Sequence, residues 1–175
     1  MEIIDTHTHY WEPSLPERPW DTNADAPAPE PLLAEQLLLA AREAGVSRVV
    51  QVNPSLMGYD NRYSFDAAQA HPDLIAGVFA RINPLESDMS ARLTMLRKTP
   101  KFLGIRITLL TPAQKSWLSD STLALLFEEA GEHGFPVAIY AKGLAREIGE
   151  AVRKYPGARI LIDHMALDDR KKGSV

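Results

Sequence analysis

Short runs rich in valine and isoleucine alternate with longer amphipathic stretches along the chain, and this alternation constrains the fold more than any other feature. The runs cover residues 3–6, 46–52, 74–82, 103–109, 137–140 and 159–162. Between them, residues 32–44, 62–70, 89–98, 122–133 and 144–154 carry apolar side chains at spacings of three and four, as Leu123, Leu126, Phe127 and Ala130 show. Helix stop signals fall where these stretches end: Gly45, His71-Pro72, Thr99-Pro100, Gly134 with Pro136, and Pro156-Gly157. Strands that are apolar throughout and alternate with helices predict a parallel α/β protein.

Two parallel architectures compete. A doubly wound sheet places a glycine-rich turn after its first strand, whereas this first run leads into Asp5-Thr6-His7-Thr8-His9, without a glycine. A (β/α)8 barrel places its chemistry at the C-terminal ends of several strands. The polar residues fall there: His7 and His9 after the first run, Asn53 and Ser55 after the second, Arg81 and Asn83 at the third. Arg106 lies within the fourth, Tyr140 ends the fifth and His164 follows the sixth. The barrel is the better reading, with about six of its eight β/α units in the chain. Residues 11–31 hold six of the thirteen prolines and are expected to form a loop over the barrel mouth.

Composition narrows the function. The 175 residues are expected to form one domain, 1–175, and 45% hydrophobic residues suffice for one core. A net charge of -4 gives no reason to expect nucleic acid or an anionic membrane as partner. Cysteine is absent, which excludes thiolate nucleophiles, disulfides and cysteine-based zinc sites in this chain. Asp5 interrupts the first apolar group, so no signal peptide is visible, and no run approaches the roughly 20 apolar residues of a membrane span. The expectation is a cytoplasmic protein acting on a small molecule, with a second copy of the chain kept open as a partner.

His7 and His9, one residue apart on a strand, project from one face and can share a divalent ion or polarise a carbonyl oxygen. His164 terminates an apolar strand, where a histidine is costly unless hydrogen-bonded or functional. Its neighbour Asp163 is expected on the opposite face by strand alternation. Arg106 is embedded in an apolar strand and needs an anionic partner, either a structural carboxylate or a substrate oxygen. Tyr140 can offer a phenolic hydrogen bond, and Ser55 a substrate-binding hydroxyl. His71 and His133 fit helix ends, and Asp60-Asn61 fits a helix cap.

The opening Ile3-Ile4-Asp5-Thr6-His7-Thr8-His9, the Arg106 strand and the segment Ile162-Asp163-His164-Met165 resemble the amidohydrolase superfamily. The likeness is strongest to its amidohydrolase-related branch of 2-pyrone-4,6-dicarboxylate lactonases and sugar lactonases. Gly58-Tyr59-Asp60-Asn61 before a helix and the His164-Met165-Ala166 ending add to it. The resemblance implies a (β/α)8 TIM barrel and hydrolysis by an activated water. It implies catalytic roles for His7, His9 and His164, and substrate-binding roles for Arg106, Tyr140 and Ser55. In metal-dependent relatives a strand-five histidine joins the His-x-His pair, and Tyr140 stands in its place. The expectation is therefore metal-independent ring opening of a small carboxylated lactone. The alternatives are a hydrolase or decarboxylase holding one zinc or manganese ion on His7 and His9, and a non-catalytic degenerate barrel. The resemblance also implies a carboxylate base from strand eight. The sixth run is the last in this sequence, so the chain is expected to be an incomplete barrel without that base.

Overall fold

A computed structural model describes residues 2–21 and 30–167 of the chain. Strands and helices alternate through them: β1 (Ile4–Thr8), α1 (Ala34–Glu43), β2 (Arg48–Val52), α2 (Arg62–Ala70), β3 (Ile75–Arg81), α3 (Met89–Lys98), β4 (Phe102–Thr108), α4 (Pro112–Ser116), α5 (Ala124–His133), β5 (Pro136–Tyr140), α6 (Ala145–Lys154) and β6 (Arg159–Ile162). Each expected strand and helix forms. The short α4 is the one helix the periodicity missed, yet its start is written in Thr111-Pro112-Ala113-Gln114. Thr111 Oγ1 accepts from the Gln114 amide at 3.2 Å and Gln114 Oε1 accepts from the Thr111 amide at 3.1 Å, a capping box with proline in the first turn.

The chain divides into two compact units, Met1–Arg81 with Leu93–Leu103, and Ile82–Arg92 with Gly104–Val175. In the first, β1, β2 and β3 pair in parallel in that order. Val49, Ile75 and Val78 are fully buried, and α2 covers the sheet with Phe65, Ala67 and Ala68. A polar knot sits inside this core. Gln51 donates to the Tyr10 carbonyl at 3.0 Å and to Ser64 Oγ at 3.2 Å, and Ser64 donates to Asn53 Oδ1 at 2.8 Å. The Tyr10 hydroxyl donates to the Ser64 carbonyl at 3.0 Å, and burial pushes the phenol's pKa far up. Each buried polar atom of the knot is thereby matched, as its low dielectric surroundings demand.

In the second unit β4, β5 and β6 pair in parallel in that order, in register from Ile105 opposite Val137 and from Val137 opposite Ile160. Ile105, Val137 and Ile139 are fully buried. Leu126 and Phe127 of α5 and Ile148 of α6 complete that core. Gly134 ends α5 at φ +72°, the left-handed conformation that favours glycine there. Among the described residues no helix is long and apolar enough to cross a membrane.

Candidate active site

Both units gather polar side chains at the C-terminal ends of their strands. In the first, β1 carries an irregularity at the histidines: from Asp5 opposite Val49 to Thr8 opposite Gln51, β1 advances three residues while β2 advances two. Such a bulge re-aims side chains. The Asp5 carboxylate accepts from the His7 amide at 3.0 Å, and Thr8 donates its hydroxyl to the Val50 carbonyl at 2.9 Å. The His7 and His9 rings stand edge to face, with centres 5.0 Å apart. The strand therefore brings the two imidazoles together as the His-x-His spacing predicts. His9 Nδ1 lies 2.7 Å from the Val52 carbonyl oxygen. A carbonyl only accepts, so Nδ1 carries the hydrogen, and a neutral His9 keeps its lone pair on Nε2.

Ser55 opens a single 3-10 turn, Ser55–Met57, after β2. Asn53, beside it, is committed to structure: its amide donates to the Phe79 carbonyl at 2.9 Å and its side chain to the Asp60 carbonyl at 3.0 Å. Asp60 caps α2 by accepting from the Arg62 amide at 2.9 Å. Asn61 does something the sequence did not signal. Its Oδ1 accepts from the Arg81 amide at 2.7 Å while its Nδ2 donates to the Arg81 carbonyl at 2.9 Å. This two-point grip mimics a strand partner and fixes Arg81, whose buried guanidinium lies 5.2 Å from the Tyr59 ring centre.

The described part of the proline-rich loop is laid against these turns. The Trp11 amide donates to the Leu32 carbonyl at 2.8 Å, and the Asp21 amide to the Leu56 carbonyl at 2.8 Å. Arg62 Nη2 donates to the Glu17 carbonyl at 3.0 Å. Buried Glu12 pairs with Arg18 at 2.9 Å. Burial raises its carboxyl pKa above the ordinary value, against the pull of Arg18. Residues 22–29 of the expected loop lie outside the described residues.

In the second unit Arg106, Tyr140 and His164 converge. The Arg106 guanidinium lies 5.0 Å from the Tyr140 ring centre, and the His164 ring meets Tyr140 edge to face at 5.3 Å. Lys142, which the sequence reading did not single out, stands 5.8 Å from the same ring. Desolvation lowers the Arg106 pKa, and Asp163 opposes that fall by supplying the anionic partner. Asp163 Oδ2 accepts from Arg106 Nε at 3.2 Å, with the two side chains 4% and 7% exposed.

Here the expectation for Asp163 fails, for a physical reason. Strand alternation put it on the face opposite His164. The strand ends at Ile162, and His164, Met165 and Ala166 all take positive φ, from 52° to 56°. In register Arg106 lies opposite Ala138 and Ala138 opposite Leu161, so alternation itself carries Asp163, two residues on from Leu161, to the Arg106 face. The three successive left-handed residues that follow turn His164 back to Tyr140. His71 and His133 pair with Glu35 at 3.4 Å and Glu129 at 3.5 Å, near helix ends as expected. Asp168 and Asp169, which the sequence offers after His164, lie outside the described residues. Among the described residues no three or more His, Asp or Glu side chains form a metal-holding group.

Comparison with known proteins bears on these residues. The family model described as Amidohydrolase matches residues 4–173. An L-fucono-1,5-lactonase of Burkholderia ambifaria is 28% identical over 165 residues, which cover 93% of this chain and 56% of the relative. A Pseudomonas putida structure bearing the name 2-pyrone-4,6-dicarboxylic acid hydrolase is 25% identical, with a TM-score of 0.74 over 97% of this chain and 60% of its own. An amidohydrolase from Burkholderia multivorans, described with bound zinc, is 16% identical and superposes with a TM-score of 0.75 over 95% of this chain and 59% of its own. The chain thus spans 56% of the length of the curated relative it matches. These likenesses show the fold: α/β, of the amidohydrolase TIM-barrel type, with six parallel strands among the described residues.

Proposed function

This chain belongs to the amidohydrolase family, and from that premise we propose that it serves a hydrolase that opens a small lactone, a carboxylated ring or a sugar lactone, with water. The observation that carries the reading is the convergence of Arg106 and His164 on Tyr140. A tyrosine stands where metal-dependent relatives are expected to have a ligand. It presents a hydroxyl and a ring face, suited to holding a ring-shaped substrate. Arg106, Tyr140 and Ser55 take the substrate-binding role. They orient the lactone so that attack on its carbonyl resembles an intramolecular step.

His7, His9 and His164 take the catalytic role, giving hydrogen bonds to the carbonyl oxygen as negative charge develops there. His9 Nδ1–H is already given to Val52, so His9 contributes such a bond through Nε2 only as imidazolium. The likeness to a named lactonase and to a named 2-pyrone-4,6-dicarboxylic acid hydrolase supports ring opening as the reaction class.

One observation favours a second, metal-dependent reading. A histidine whose Nδ1–H is held by a backbone carbonyl is oriented as metal-ligating histidines are. His7 and His9 are the two donors that would hold a zinc or manganese ion, which supplies Lewis-acid activation of carbonyl or water.

Lactone hydrolysis before and after exhaustive chelation separates the two. Turnover that survives chelation is the expected result. Turnover lost with chelator and restored by zinc or manganese establishes the second reading. No turnover of any lactone rejects both.

A further inference from the structure

A buried guanidinium shows a substrate its full charge only while no carboxylate has matched it. Arg106 is matched. Asp163 Oδ2 sits 3.2 Å from its Nε, and both side chains are buried. Out of water, charges interact several-fold more strongly than in solvent, so a third charge nearby meets the pair as a dipole rather than as a cation. The pair reaches across β5: Arg106 belongs to β4 and lies opposite Ala138, Asp163 follows β6, in which Leu161 lies opposite the same Ala138, and Tyr140 stands two residues on along β5. The same guanidinium lies over Tyr140.

The position of Asp163 argues against a merely internal ion pair. It directly precedes His164 and begins a turn in which three non-glycine residues hold positive φ. Each such residue is a strained backbone state, and strain of this kind persists where its surroundings over-determine it and tends to cluster at functional sites. The Gly143 amide donates to the Ala166 carbonyl at 2.8 Å, pinning the far end of the turn, and the Arg106 contact pins the near end.

We propose that Asp163 is a specificity-determining residue: by cancelling the charge of Arg106 it adapts the surroundings of Tyr140 to lactones of low charge and penalises a carboxylated ring. The inference rests on the lactonase reading and narrows its substrate to the less charged of the two classes. Asp163→Asn is the direct probe, because asparagine keeps the shape and a hydrogen-bond acceptor for Nε and removes only the charge.

The test compares a 1,5-aldonolactone with the 1,5-aldarolactone of the same ring, which differ by one carboxylate. Binding is followed by titration calorimetry and hydrolysis by kcat/KM, on the full protein. In Asp163→Asn the preference for the carboxylated lactone over the uncharged one is expected to rise at least about tenfold in both measurements. A purely structural lesion lowers both lactones alike and leaves that ratio where it was, which overturns the assignment.

A shifted binding ratio without hydrolysis of either lactone supports Asp163 and rejects only the lactonase reading. Binding of neither lactone to either protein rejects both. Asp163→Asn leaves a buried cation alone and can fail to fold. Arg106→Met combined with Asp163→Asn removes both charges, and its ratio is expected to match the wild-type value. A double variant that instead loses the carboxylated lactone selectively shows that Arg106 acts as an uncancelled clamp, and overturns the proposal.

Discussion

Glu12 is a carboxylate withdrawn from water with Arg18 at 2.9 Å from one of its oxygens. Burial raises its pKa. Asp60 and Asp66 push it the same way, and Arg18 and Arg62 pull it down. A carboxyl whose folded pKa exceeds its unfolded value binds more protons when folded, so its contribution to stability falls as pH rises through that window. The stability difference between Glu12→Gln and wild type is therefore expected to move in the variant's favour as pH rises from about 4 toward 7, measured as denaturation midpoints. A difference that stays constant shows that Glu12 ionises as freely when folded as when unfolded. At this scale the sequence was partly readable. His7 and His9 meet because their spacing dictates it, and Arg106 has the anionic partner its burial required. Asp163 as that partner was not readable, because the register that sets Leu161, and two residues on Asp163, on the Arg106 face is not written in the sequence. Neither is the left-handed turn that brings His164 back to Tyr140. Asn61 was hidden for a similar reason: Asp60-Asn61 reads as a helix cap, and only Asp60 caps.

Among the elements, β3 and β4 show how close packing is written into single positions. A Cβ built on Gly77 would lie 2.3 Å from Leu103 Cγ, so glycine is required by the side chain that fills its place. Gly77→Ala is expected to destabilise by about 1–3 kcal/mol, the usual range for overpacking. Leu103 is 37% exposed and has room to swing outward, which favours the lower end. Combining Gly77→Ala with Leu103→Ala should recover part of the loss, and a double-mutant cycle in denaturant measures it. Purely additive losses show that the contact does not set the requirement for glycine. The strands and the five longer helices were legible because their periods differ and glycine or proline closes them. The anchoring of residues 11–21 was not legible, since it depends on backbone hydrogen bonds such as Asp21 to Leu56 that leave no pattern in sequence.

For the whole molecule, the alternation of runs gave the architecture and the polar residues after them gave the candidate site, while the identity of the general base lies beyond both. Within the second unit, β6 and the turn after it expose Leu161, Ile162, Met165 and Leu167 at 48%, 42%, 79% and 64%. An apolar strand left open in this way invites association. Light scattering of this chain is expected to show concentration-dependent association that Ile162→Lys weakens; equal behaviour of both shows that β6 is not the adhesive surface. The hydrogen bond from Gly143 to Ala166 has a further consequence for how such a protein changes over generations. It welds the loop after β5 to the turn that carries His164, so substitutions in residues 141–143 and 163–166 will be epistatic, each judged against the state of the other. New substrate preferences should therefore arise in this region by paired changes rather than by single steps.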